Sequence, residues 1–114
     1  LSRLGEEAYL HRESSIYLEE LEKQLDDRKH IVFHGRVQGV GFRYTAKYMA
    51  QSLGLKGWVM NEYDGTVVME VQGGEALINK LLVGLNHGHY ITIEWMDAKE
   101  IPPVDGERSF RVRA

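Results

Sequence analysis

The sequence contains no cysteine. That excludes disulfides, thiolate metal ligands and cysteine nucleophiles together, and it fits a cytoplasmic protein. No apolar run approaches the roughly 18 residues that a membrane-spanning helix needs. Charged residues interrupt the N-terminal stretch from Arg3 onward, unlike a secretion signal. There is no basic excess either. Residues 1–29 carry five basic and eight acidic side chains, and the remainder carries nine of each. A neutral module without a basic stripe is a poor candidate for nucleic acid, where phosphate neutralisation supplies much of the affinity. It suits a small anionic substrate, which needs only local positive potential.

What is present points to an ordinary globular domain. A chain of 114 residues, 43% apolar and 27% charged, has room for one compact core and a short appendage. Residues 1–28 read as a helical N-terminal extension. Ser14 and Ser15 offer caps, and Tyr17, Leu18, Leu21 and Leu25 make a narrow apolar stripe among acidic residues. Two readings of that stripe stand: docking on the chain's own domain, or self-association through residues 15–28. The first is preferred, because one short stripe rarely specifies a partner.

Residues 29–114 form the second unit. Ile31, Phe33 and Gly35 alternate with Val32, His34 and Arg36, a strand ending near Val37. A glycine-rich turn leads to a helix through Phe42, Ala46, Met49, Ala50 and Leu53, which Gly54 stops. Strands follow over Lys56 to Asn61 and Thr66 to Gln72, joined by the turn Tyr63-Asp64-Gly65. A second helix carries Ile78, Leu81, Leu82 and Leu85. A fourth strand carries Ile91, Ile93 and Trp95, and a short final one carries Phe110 and Val112. The order β-α-β-β-α-β plus a last strand is the α+β, ferredoxin-like split βαβ sandwich, with two helices on one face of a mostly antiparallel sheet. Its first four strands then lie in the order 4-1-3-2. Residues 38–43 and 61–65 consequently emerge at the same end of the sheet.

The turn itself has the anatomy of an anion site. Gly39 and Gly41 let successive backbone N–H groups turn inward, and the helix starting near Phe42 adds unpaired N–H groups at the positive end of its dipole. Arg43, in the first turn, adds a fixed charge with a bidentate fork. On spacing alone this is neither a Walker A loop nor a dinucleotide fingerprint, and a plain glycine-rich turn with a solvent-facing arginine fits equally well.

A resemblance separates the two. Gly35-Arg36-Val37-Gln38-Gly39-Val40-Gly41-Phe42-Arg43 resembles the first signature of the acylphosphatases. Gly57-Trp58-Val59-Met60-Asn61, with Gly65-Thr66-Val67 and Gly73, resembles the second, and the likeness runs on through Ser109-Phe110-Arg111-Val112. It covers about residues 30–114; the acidic segment before it departs from the family's common short form. The resemblance implies metal-independent hydrolysis of a small-molecule acyl phosphate. The backbone of Gln38, Gly39, Val40, Gly41 and Phe42 would hold the phosphate together with Arg43, and Asn61 would place the attacking water.

The chemistry is consistent with that. A carboxylate leaving group, with a conjugate acid of pKa about 4, departs without a general acid. A loose phosphoryl transfer asks chiefly for positioning and for stabilised equatorial oxygens. No cofactor or metal is called for. His87 and His89 lack a third ligand, and Glu62 and Asp64 read as turn residues facing water. Trp58, Trp95 and Phe110 read as core. The alternative is a non-catalytic anion-binding or regulatory module of the same fold, which would need the cradle but no amide to position water.

Overall fold

The computed structural model describes residues 26–114. Most of the proposed helical extension, and its self-association through 15–28, therefore lies outside the described residues. Its last positions do not. Asp27 and Arg28 belong to the first strand, β1 (Asp27–Arg36), where Arg28 pairs with Gln72 on one side and Ile101 on the other. The strand thus begins before the boundary drawn at residue 28.

The remaining elements are α1 (Phe42–Ser52), β2 (Lys56–Asn61), β3 (Val67–Gly73), α2 (Glu75–Asn86), β4 (Thr92–Ile101) and β5 (Phe110–Val112). The strands form one sheet in the order β4-β1-β3-β2-β5, antiparallel except for the β2–β5 pair. Two-residue alternation decides its faces. Ile31, Phe33, Val59, Val67, Met69, Val71 and Phe110 are buried. They meet Phe42, Ala46 and Ala50 of α1 and Ile78, Leu81 and Leu85 of α2 in a single core. This is the expected ferredoxin-like α+β sandwich.

One strand departs from simple alternation. Ile93 packs against the core, yet Trp95, two residues later, is 53% exposed and stacked on His34 at 3.6 Å between ring centroids. The register explains the difference. His34 pairs with Trp95 but Gly35 with Ile93, so Glu94 is an extra residue on β4 and the alternation is interrupted there. Trp58 is likewise not core; the Arg113 guanidinium lies 4.3 Å from its ring centre.

On the face away from the helices, Arg28 is nearly fully buried and carries the far end of the sheet. It donates to Glu70, Gln72 and Glu107, at 2.8 Å to Glu107 Oε1, while the Gln72 side chain holds Val104 through both its N–H and its C=O. The segment after β4 is thereby strapped across β3. Removing the guanidinium leaves carboxylates without their counter-charge, so Arg28→Met is expected to cost about 2–4 kcal/mol in urea unfolding.

The same cluster gives stability a pH dependence. Burial alone would raise the Glu70 carboxyl, but the His30 contact at 2.8 Å and the Arg28 charge outweigh it and hold the group below its ordinary range. A carboxyl depressed on folding contributes stability above its unfolded pKa, about 4.3, and loses it as pH falls through the folded value. Melting temperature should therefore drop on acidification below about pH 4.5, and Glu70→Gln should flatten part of that drop. An identical acid limb in the variant would contradict this assignment.

Candidate active site

The loop between β1 and α1 is shaped by two glycines. Gly39 and Gly41 both have positive φ, 72° and 79°, which side chains with a Cβ rarely adopt. Gly41 is the N-cap of α1, with no side-chain cap and no acidic residue in the first turn. The first helical hydrogen bond runs from Thr45 N–H to Gly41 C=O at 3.0 Å. The amides of Phe42, Arg43 and Tyr44 precede it, so they have no partner within the helix. Flanking residues hold this arrangement in place. Val37 and Phe42 are buried, the Phe42 ring lies 4.9 Å from that of Phe33, and Val40 packs partly against the core.

Asn61 ends β2, and the hairpin beyond it is tightly built. Glu62 N–H donates to Thr66 C=O at 3.0 Å, and Asp64 Oδ1 accepts from both the N–H and the hydroxyl of Thr66, at 3.0 and 2.6 Å. These bonds hold the Asp64 carboxyl below its usual range. Asp64 is thus exposed, as a turn residue should be, while its side chain fixes the turn.

Loop and hairpin meet through a residue whose side chain the sequence did not single out. Gln38 Nε2 donates to Glu62 C=O at 2.7 Å and to Thr66 C=O at 2.8 Å. Its expected contribution was a backbone amide; its side chain in addition clamps residues 38–42 to the hairpin that follows Asn61. An amide between a buried strand end and a glycine turn was the available signal, since few other side chains offer two donors without a charge. Replacing it with Glu puts a carboxylate against two carbonyl oxygens. Gln38→Glu is therefore expected to lower kcat/KM for an acyl phosphate by about 10- to 100-fold, as misplacing a catalytic loop by an ångström does. Activity within twofold of wild type would leave the clamp without a role.

Asn61 itself is half-buried, and its Oδ1 is fully enclosed yet accepts no hydrogen bond among the described residues. A buried acceptor left so costs about 1–3 kcal/mol, so a donor is favoured there, and because the atom is enclosed a water bonds it only once the side chain turns outward. Arg43, on the first turn of α1, has no carboxylate within ion-pair distance among the described residues. His87 bonds Val83 C=O and His89 lies edge-on to Tyr90. Among the described residues no group of three or more His, Asp or Glu side chains is arranged to hold a metal ion.

Comparison with known proteins decides the family. The acylphosphatase family profile matches residues 29–112. The chain belongs to the acylphosphatase family. The acylphosphatase of Clostridium acetobutylicum is 44% identical over 79 residues, covering 68% of this chain and 87% of that one. Among solved structures, an acylphosphatase from Coxiella burnetii superposes with TM-score 0.73 at 31% identity, covering 81% of this chain and 97% of its own. The Bacillus subtilis acylphosphatase gives 0.72 at 29% identity, over 77% and 99%. The acylphosphatase domain thus accounts for nearly all the described residues.

Proposed function

We propose that the 38–43 loop and Asn61 are where this acylphosphatase hydrolyses acyl phosphates to carboxylate and inorganic phosphate. The backbone amides from Gln38 to Phe42 and the Arg43 fork hold the phosphoryl oxygens. Asn61 Oδ1 accepts a hydrogen bond from a water and so turns that water's lone pair toward phosphorus. Water oxygen forms the new P–O bond, the bond from phosphorus to the acyl oxygen breaks, and the carboxylate leaves with the electron pair. The water's proton passes to the phosphate product, since an amide has no useful basicity.

The observation that carries this reading is an Asn61 Oδ1 without a partner among the described residues, at the same sheet end as an uncapped helix start and an arginine without an ion-pair partner among them. A module that only binds anions has no use for that acceptor. Charge builds on equatorial oxygens in a loose transition state, where fixed donors count most. Nothing in the arrangement protonates a leaving group, so good leaving groups should be selected. No metal enters the scheme. The lack of cysteine supports a cytoplasmic setting, and no described helix is long and apolar enough to cross a membrane.

The test is turnover of benzoyl phosphate in EDTA, set beside phenyl phosphate, an ordinary monoester. Rapid release of benzoate with at most trace hydrolysis of the monoester is expected. Activity that EDTA abolishes, or equal rates on both substrates, would overturn the reading.

A further inference from the structure

A groove of about 590 Å³ opens from Arg43 along the outer side of α1, with the edge strand β5 as its other wall. Arg43, Lys47 and Gln51 follow at four-residue spacing and so share one face of the helix. Gln51 closes the far end, donating to Phe110 C=O at 3.2 Å. The β5 wall includes Arg111 and Arg113, which alternate with core-facing Phe110 and Val112 and so stand toward the sheet face away from α1, Arg113 against the Trp58 ring. The groove's composition is lopsided. Residues 30–114 hold nine basic and nine acidic side chains; two of the basic ones, Arg43 and Lys47, stand on the helix wall of this groove and none of the acidic side chains lines it. Neither Lys47 nor Arg111 has a carboxylate within ion-pair distance among the described residues. Lys47 Nζ lies 5.7 Å from the centre of the exposed Tyr48 ring, a contact that leaves its charge uncancelled.

A phosphate held by the loop and Arg43 leaves the Lys47 charge without a ligand group. Lys47 lies a helical turn beyond Arg43, about 6 Å along the axis and away from the loop. We propose that the groove is an acyl-side subsite favouring acyl phosphates whose acyl group ends in a second anionic group, with Lys47 as the specificity-determining residue. The proposal rests on the phosphate site described above and names the substrate class that site takes. The shared chemistry is an anion one helical turn from the phosphoryl group, whether a carboxylate or a phosphorus-bearing anion. Such a contact, made in the ground state and the transition state alike, acts through KM.

The experiment compares kcat/KM for 4-carboxybenzoyl phosphate with that for 4-carbamoylbenzoyl phosphate, its neutral counterpart of similar shape, at low salt. 4-Phosphonobenzoyl phosphate is the second anionic arm. Wild type is expected to prefer a charged substrate by about 5- to 10-fold, with the preference fading as salt rises. Lys47→Gln should bring the ratio to about one and Lys47→Glu should invert it, with folding checked by melting temperature. Lys80→Gln, the same charge loss on exposed α2, should keep the wild-type ratio. Preference in only one anionic arm supports the subsite and identifies its anion. Equal rates on charged and neutral substrates overturn the subsite while leaving the hydrolase reading intact. So does a ratio that falls as far in Lys80→Gln as in Lys47→Gln, because overall charge then explains it. Failure to hydrolyse any of the three substrates, or benzoyl phosphate, overturns the phosphate site and the subsite with it.

Discussion

Arg43→Ala is expected to lower kcat/KM for benzoyl phosphate by roughly a thousandfold or more. The guanidinium is the one fixed charge on the first turn of α1, with no competing carboxylate among the described residues. In the proposed site it would meet the phosphoryl oxygens with its charge free of any described carboxylate, both in the bound substrate and as charge spreads over those oxygens. Arg43→Lys should recover little. An ammonium is a point charge and cannot make the paired, in-plane hydrogen bonds of the fork, so a loss of about a hundredfold is expected there. A binding measurement separates this from misfolding. Inorganic phosphate at a hundred times its Kd should stabilise the wild type by about 2.7 kcal/mol, visible as a raised Tm, and Arg43→Ala should lose that response at the same concentration. A retained phosphate response together with retained activity would remove Arg43 from the site.

Asn61→Ala should divide differently. If its enclosed Oδ1 orients water and does not grip phosphate, kcat falls by about 10²- to 10³-fold while KM and the phosphate-induced rise in Tm stay near wild type. The backbone cradle and Arg43 remain, so binding survives. Asn61→Asp keeps an acceptor of the same shape but sets a negative charge near a dianionic ligand, and it should raise KM as well as lower kcat. A rise in KM with kcat preserved in Asn61→Ala would make the amide a phosphate ligand and place the water elsewhere. The two residues thus have opposite signatures in one pair of assays.

Much of this was legible from local pattern. The Lys56–Asn61 strand and the start of α1 at Phe42 agree with the sequence reading, because glycines and alternating burial mark both without competition. The conjunction of loop and hairpin followed from strand order alone. The residues that escaped are those whose roles depend on distant partners. Arg28 reads as the tail of a charged segment, and only the pairing of β1 with β3 shows it meeting Glu70 and Gln72. Trp95 follows the core pattern of Ile91 and Ile93 until the extra residue Glu94 breaks the register, which no local signal announces. Gln38 sat inside the recognised loop, yet its bonds reach residues 24 and 28 positions away. The enclosed acceptor at Asn61 is a property of packing, not of spacing.

The central claim is that water attacks phosphorus in a phosphoryl group held by the 38–43 loop. Hydrolysis of benzoyl phosphate in water enriched in oxygen-18, followed by mass spectrometry of both products, tests it directly. Attack at phosphorus places the heavy oxygen in inorganic phosphate and leaves benzoate unlabelled. Label in benzoate would mean attack at the carbonyl carbon, a reaction for which neither the cradle nor Asn61 is placed, and it would contradict the account.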